Sequence, residues 1–236
     1  MALAALNPPS PHPMQLNGEH LLLAGDVYVP ITELGRGKSA VSYLYQQAEG
    51  HSAQGLPLQL VLKRYCSTPN QTVPFAQALE FELCSYLRLQ QANIAHPQLL
   101  GYSTTEYCLA KEYIPGELIT DLLLQNALDD RHFRAILEMA TQLQRAGWHI
   151  DYFPANFVLT PHGLYYIDYE AHPYNAEWDF AHWGIFYWLN PEGMRQFLAT
   201  GDDRHINKPG QPKPWDEPFL RQRESLLRRL APGATA

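Results

Sequence analysis

Cysteine is scarce in this chain. Cys66, Cys84 and Cys108 are the only three in 236 residues. None belongs to a CxxC pair, which excludes a disulfide framework or a zinc ribbon and points to a reducing compartment. No run of about 18 apolar residues occurs, so no membrane-spanning helix is expected. The opening MALAALNPPSPHP shows no basic segment followed by a long apolar core, so no secretory signal is read and a cytoplasmic location is expected. The sequon at Asn70 carries little weight without an export signal. An excess of positive charge is also missing. The formal net charge is -7, whereas nucleic-acid binders usually present a basic face, so no nucleic acid is expected as partner. No HExxH or similar ligand spacing occurs, which argues against a metal hydrolase. Internal repeats and low-complexity blocks are absent as well.

The residues present are those of an ordinary globular protein, 46% hydrophobic and 17% charged. The length suits one large domain or two small lobes sharing a cleft. Charge is unevenly spread. Residues 201–236 hold seven Lys/Arg against five Asp/Glu, so the acidic excess lies in the first 200.

Residues 1–18, rich in Pro and Asn, read as a flexible arm. Strand-like runs follow: HLLLAGDVYVPI, AVSYLYQQ and LPLQLVLKRY, the last alternating apolar and polar residues. In VPFAQALEFELCSYLRLQQ the period changes, placing Phe75, Leu79, Leu83, Tyr86 and Leu87 on one helical stripe. Two more strands are expected in QLLGYST and YCLAKEYI, and Pro115-Gly116 marks a break before a helix. The segment DDRHFRAILEMATQLQRAG opens acidic and closes on Gly147, which suits the helix dipole and a C-cap. A tight hairpin, FVLTPHGLYY, precedes EWDFAHWGIFYWLN, read as one strongly apolar helix. Two further helices are expected in PEGMRQFLAT and EPFLRQRESLLRRL. In the last, Phe219, Leu220, Leu226, Leu227 and Leu230 alternate with arginines, which permits docking on an anionic membrane or a partner, or simple packing on the domain. Three segments result: an arm, 1–18; a strand-rich part, 19–114; and a mostly helical part, 115–236.

Chemistry-bearing residues concentrate in HIDYFPANFVLTPHGLYYIDYE, residues 149–170. His149 and Asp151 precede Asn156, and Asp168 follows the hairpin. Asn156 and Asp168 offer hard oxygens of the kind Mg²⁺ prefers. Asp151, with an ordinary pKa of about 3.9, is expected to be ionised at neutral pH. Upstream, Gly35, Arg36, Gly37, Lys38 and Ser39 form a glycine-containing turn, which serves either as a plain hairpin or as a backbone cradle for phosphate. A P-loop reading of GRGKS fails, because Thr32 stands where Gly is needed and strand-like residues follow. Lys63 lies on a strand with Val61 and Tyr65 on its face, and alternation alone does not say which face points inward.

With these residues in this order, Ile31 to Asn190 resembles the protein-kinase-like superfamily. His149-Ile150-Asp151, with Asn156 five residues on, resembles its catalytic loop, and Asp168 its metal-binding aspartate. Gly35 and Gly37 resemble the first two glycines of its phosphate loop, although Ala40 replaces the third and Ser42 the valine. Lys63 resembles its strand lysine. The resemblance implies a helix glutamate to hold that lysine, Glu82 or Glu80, of which Glu82 lies closer to the buried stripe. LAKEYIPGEL resembles its hinge, with Glu112 and Tyr113 offering main-chain atoms to adenine. Asp179 resembles an aspartate that accepts hydrogen bonds from the catalytic-loop backbone. Four departures stand out: no Arg follows His149, Phe153 occupies a position that is Lys or His elsewhere, Asp168-Tyr169-Glu170 lacks a glycine, and only ten residues separate Asp168 from Asp179. The last leaves no peptide platform, so the chain is most similar to the compact atypical branch, the RIO-type and aminoglycoside phosphotransferase-like small kinases.

The resemblance implies an α+β, bilobal fold with a five-stranded antiparallel N-lobe sheet plus one helix and a reduced, mostly helical C-lobe. It also implies ATP and Mg²⁺ as cofactors and transfer of the γ-phosphate to a hydroxyl of a small molecule or a protein. The departures leave open a pseudokinase that binds nucleotide or a partner without turnover.

Overall fold

The computed structural model describes residues 12–37, 39–50, 52, 54–66, 74–207 and 217–231, without the side chains of residues 217 and 218. They form two compact units. One holds the residues up to Arg88 together with Pro97–Ile114; the other holds Leu89–His96 and the residues from Pro115 onward.

The first unit is built on strands β1 (Met14–Asn17), β2 (His20–Leu23), β3 (Asp26–Arg36), β4 (Ala40–Gln47) and β5 (Gln59–Tyr65), helix α1 (Phe75–Gln91), whose last turn enters the second unit, and strands β6 (Leu99–Ser103) and β7 (Cys108–Glu112). The strands make one sheet in the order β1-β2-β3-β4-β5-β7-β6, antiparallel throughout. Its first two hairpins turn in two residues. Gly18 has a φ of 64°, and Ala24-Gly25 have φ of 51° and 95°, the left-handed geometry whose twist matches that of the flanking strands.

The sheet curls until its ends meet. The N–H of His12, leading into β1, donates to the carbonyl of Leu100 in β6 at 3.0 Å. A Cβ on Gly101 would lie 2.9 Å from Leu23 Cδ1 and 3.1 Å from the His12 carbonyl, so glycine permits this approach. Leu21, Leu23, Tyr28, Tyr45, Leu60, Leu62, Leu100, Cys108 and Ala110 fill one cluster, each leucine contributing roughly 1.5–3 kcal/mol by leaving water. The buried phenols are satisfied: Tyr28 donates to the Pro57 carbonyl and Tyr45 to that of Glu19, both at 2.8 Å.

Two expectations are corrected by this sheet. It has seven strands in a nearly closed, barrel-like arrangement, not the five-stranded lobe sheet with one helix, and the kinase-like fold class expected from sequence is not what the structure shows. The cause is local. HLLLAGDVYVPI reads as one strand, but Ala24-Gly25 folds it into β2 and β3. The Gly18-Glu19 turn adds β1 within the supposed arm. Residues 1–11 of that arm lie outside the described residues.

The second unit contains β8 (Glu117–Leu118), α2 (Ile119–Leu124), α3 (Asp130–Arg145), β9 (Trp148–Ile150), β10 (Phe157–Thr160), β11 (Gly163–Tyr166), β12 (Ala171–Pro173), α4 (Ile185–Trp188), α5 (Pro191–Thr200) and α6 (Glu217–Leu230). Strands β11, β10 and β8 make one small sheet, and β9 and β12 pair as another. Asp129 caps α3, its carboxylate accepting from the Arg131 N–H at 2.9 Å, while His132 Nδ1 accepts from the Asp129 N–H at 2.9 Å. Such a cap is worth about 1 kcal/mol. Gly116 is required by close approach, since a Cβ there would lie 2.3 Å from the Leu159 carbonyl.

The segment expected as one apolar helix is broken. A 3₁₀ turn covers Ala176–Trp178, a π turn Phe180–Gly184, and α4 only Ile185–Trp188. Helix α6 buries Leu226 and Leu230, and Arg229 reaches Asp130 with two hydrogen bonds of 2.8 and 2.7 Å. Packing on its own unit is therefore what those leucines do. No helix among the described residues is long and apolar enough to cross a membrane.

Candidate active site

The site residues expected from sequence fall into two sets, one in each unit. In the first unit, the pairing of β5 with β7 and β4 places Leu60 and Leu62 in the cluster. Lys63, on the alternate face, meets α1: its Nζ lies 2.6 Å from Glu82 Oε1, and the two side chains are only 16% and 10% exposed. Burying two opposite charges gives an interaction that water screens little, at the cost of removing both from water. Glu80 is exposed on the other face of α1.

The glycine-containing turn is a tight hairpin end. Gly35 pairs with Ser42 and Arg36 with Val41. The Gly37 N–H donates to the Ala40 carbonyl, and the Ser39 carbonyl accepts from the Cys66 N–H at 3.0 Å. Arg36 is held by Glu33 at 2.8 Å. Lys38 lies outside the described residues. A Cβ on Gly35 would meet nothing within 4 Å, so packing within the protein does not explain that glycine. Glu112 ends β7 and is engaged with Gln98, its N–H donating to the Gln98 carbonyl at 2.9 Å and its carboxylate accepting from the Gln98 N–H at 3.2 Å. Tyr113 follows one residue beyond the strand.

In the second unit the chain does bring its expected residues together. Strand β9 ends at Ile150, and Asp151 follows. Its Oδ1 accepts from the Phe153 N–H at 3.0 Å, an Asx turn. The Asn156 amide donates to Asp151 Oδ2 at 3.2 Å and to the Asp151 carbonyl at 3.3 Å, which leaves Asn156 Oδ1 as the oxygen directed away from Asp151. The β10–β11 hairpin then returns the chain: Phe157 pairs with Tyr166, and the Ile167 N–H donates to the Asn156 carbonyl at 2.8 Å. Asp168 is thus delivered beside Asn156, with its Oδ1 accepting from the Tyr169 N–H at 3.0 Å.

Three carboxylates crowd this region, and the electrostatics show it. Asp151 is pushed up to about 6, first by the loss of water around its carboxyl, then by the negative charge of Glu170 and, more weakly, of Asp168; hydrogen bonds from Phe153 and Asn156 oppose the rise. Its outer surface stays open to solvent, which screens the repulsion but does not reverse its direction. Tyr166, fully buried, has its phenol pushed well up by burial and then by Asp168, and its hydroxyl donates to the Glu170 carbonyl at 3.2 Å. His149 is shifted down by burial. Its ring stacks on that of His172 at 5.4 Å, and its Nδ1 lies 2.8 Å from the Pro173 carbonyl. His172 in turn contacts Glu170 at 2.8 Å.

The sequence reading gave Asp179 a duty it does not have and missed the residues that do hold this loop. Asp179 does not anchor the Asp151 loop; it accepts from the His182 N–H at 2.8 Å and the Tyr174 hydroxyl at 3.1 Å, capping its own turn. The anchor is Trp188, whose buried Nε1 donates to the Tyr152 carbonyl at 3.0 Å. Gly184 presses on Tyr152 so closely that a Cβ would come within 2.4 Å. Phe153 is a packing residue, its ring 5.7 Å from that of Tyr187 and 5.9 Å from that of Phe197. The run of aromatics in FAHWGIFYW was the available signal, but nothing in it distinguishes an anchor from filling.

No group of three or more His, Cys, Asp or Glu side chains suited to a metal ion occurs among the described residues. A divalent cation at this hairpin would therefore rest on two protein ligands, Asn156 Oδ1 and the Asp168 carboxylate, with water and phosphate oxygens completing the shell. That sparse oxygen set fits Mg²⁺, which retains water and binds through few carboxylates. No family model matches the chain, and no curated protein is significantly similar to it.

Proposed function

We propose that the protein is a phosphotransferase, a kinase-like enzyme that moves the γ-phosphate of ATP to a hydroxyl group with the help of Mg²⁺. The observation that carries this reading is the hairpin clamp: Asn156 holds Asp151 by its amide and sits, through the Ile167 hydrogen bond, beside Asp168. Phosphoryl transfer asks mainly for positioning and charge neutralisation, and the second unit offers a base and two hard oxygen ligands within one short segment. Mg²⁺, once bound, would neutralise phosphate oxygens. Asp151 orients the acceptor hydroxyl and takes its proton, and a carboxyl pushed up to about 6 is a better proton acceptor than an ordinary aspartate while still ionised at neutral pH. Lys63, fixed by Glu82 at 2.6 Å, is a cation of the first unit whose chemistry suits phosphate oxygens. The three free cysteines suit a reducing cytoplasm.

The rival reading, nucleotide or partner binding without turnover, is favoured by Phe153, whose ring is committed to packing. Calorimetry of ATP binding with and without Mg²⁺, on wild type and Asp168→Ala, tests the proposal. Mg²⁺-dependent binding lost in the variant, with release of labelled γ-phosphate by the wild type, supports transfer. Binding without any γ-phosphate release favours the rival, and absence of binding in every condition removes both nucleotide readings.

A further inference from the structure

Helix α6 is anchored by two arginines. Arg223 Nε donates to the Ala181 carbonyl at 2.6 Å, and Arg229 makes its two hydrogen bonds to Asp130. Beside this helix opens a cavity of about 370 Å³, wholly within the second unit and of a size that holds small molecules. Of the α6 residues that line it, only Leu226 is apolar, so the helix covers the space without filling it.

Floor and rim differ. Leu123, Phe133, Trp188 and Leu226 line the cavity and are buried, and the rings of Phe133 and Trp188 lie 6.1 Å apart at 56°. Such a floor takes an apolar ring. Asn126, Gln222 and Ser225 also line it but are exposed, and their amide and hydroxyl groups can each donate and accept. The charges of the lining are already matched. Asp130 is bonded by Arg229, and Asp129 by Arg131 at 2.7 Å. Both carboxyls are held below their ordinary values, first by those hydrogen bonds. A charged ligand must break one of these pairs or leave water without a counter-charge, and either costs free energy. A neutral ligand does neither.

Trp188 gives this cavity a second connection. Its Nε1 donates to the carbonyl of Tyr152, the residue after Asp151. Tyr152 in turn lines the cavity beside Asp151. One indole is thus shared between the floor under α6 and the segment that carries the carboxylate.

We propose that the cavity under α6 is an effector site for a small neutral molecule with an apolar ring and one amide or hydroxyl head, and that its occupancy reaches the Asp151 segment through Trp188. The ring lies on Phe133 and Trp188, and the head meets Asn126, Gln222 or Ser225. A ligand packed on the indole restricts it. That steadies the bond to Tyr152 and, one residue on, the Phe153 N–H that Asp151 accepts, which is the coupling between two sites that defines an effector. The site stands apart from the phosphotransferase reading, since neither nucleotide nor acceptor takes part.

Calorimetry and NMR on the full chain, without ATP, test it. The probes are phenylbutanamide and two charged analogues of similar shape, phenylbutanoate and phenylbutylammonium. The amide is expected to bind about tenfold or more tightly than either ion. Asp130→Asn releases Arg229, so the carboxylate should then gain about tenfold while the amide changes little. Ser225→Trp, at an exposed position, narrows the mouth and should weaken the amide about tenfold with folding retained. Saturating amide should shift the Trp188 indole N–H resonance and slow exchange of the Phe153 N–H. In Trp188→Phe the amide should still bind but no longer slow that exchange. No binding of the amide, an ion that binds the wild type as tightly, or amide binding indifferent to Ser225→Trp overturns the site. Binding that leaves Phe153 exchange unchanged in the wild type, or slows it equally in Trp188→Phe, overturns the link to Asp151.

Discussion

The two units handle charge in opposite ways. In the first, Lys63 and Glu82 neutralise each other at 2.6 Å behind a barrel-like sheet. In the second, the Asp151 carboxyl rises to about 6, first through burial and then through the negative charge of Glu170 and Asp168. A compensated pair is a fixed part: it holds a side chain in one place whether or not a ligand is present. A cluster of carboxylates lowers its electrostatic energy when positive charge approaches.

The contrast breaks most completely at Asp151. Asp151→Asn is expected to reduce transfer by about 10²–10⁴-fold, the usual contribution of a positioned base, while leaving Mg-ATP binding intact. In the wild type, a plot of rate against pH should fall on the acid side of about 6, as the carboxyl takes up its proton. Stability moves the other way. The folded state holds this proton more tightly than the unfolded chain, so folding weakens as pH rises from about 4 to about 6, and Asp151→Asn removes that loss. Thermal melting at pH 5 and pH 7.5 should therefore show the variant gaining on the wild type at the higher pH. A variant that melts lower at pH 7.5 would mean the aspartate is structural.

Next in size is the compensated pair. Lys63→Met leaves Glu82 without its 2.6 Å partner, and a broken buried pair costs roughly 3–5 kcal/mol. Chemical denaturation would show it. Adding Glu82→Leu should restore most of that stability but none of the nucleotide handling, because an apolar pair packs without binding phosphate. If the double variant keeps wild-type ATP affinity, Lys63 is a structural residue only.

The smallest expected effect concerns Trp188. Trp188→Phe keeps a ring in the core and deletes the donor to the Tyr152 carbonyl. About 1 kcal/mol should be lost, which corresponds to a melting shift of about 2–4 °C. Amide exchange at Tyr152 and Phe153 should quicken more than elsewhere in the unit; uniform quickening would mean that the indole only fills space.

Much of this was legible in the sequence. Short-range chemistry fixes the hairpin, since Pro161-His162-Gly163 between two apolar runs can do little but turn, and a return of that length brings Asp168 to Asn156. Of the two glutamates the resemblance implied, Glu82 rather than Glu80 was chosen from the apolar stripe of α1, because position on that stripe is a property of the helix period. The capping of α3 and its end at Gly147 were equally local.

Other features needed the tertiary structure. The face of β5 that carries Lys63 could not be told from alternation, because a strand with a packed surface on each side has no polar face to give the answer. The seven strands were missed because Ala24 is an unusual residue for the left-handed backbone of a two-residue turn, and only pairing with β1 and β3 makes that turn worth its strain. Asp179 was expected to anchor the segment after Asp151 by accepting from its backbone, yet its carboxylate accepts from His182 and Tyr174, and Trp188 holds the segment by donating to the Tyr152 carbonyl; distance in space decides between them. The cavity beside Asp151 is the clearest case. Trp178 and Trp183 read along the chain as core packing and Glu170 as a border of an acceptor pocket, yet Trp178 is 47% exposed and all three line one cavity with Tyr187. A strand pair, a capped π turn and a glycine pressed on Tyr152 gather them around Asp151, and packing at that distance is a property of the folded chain alone.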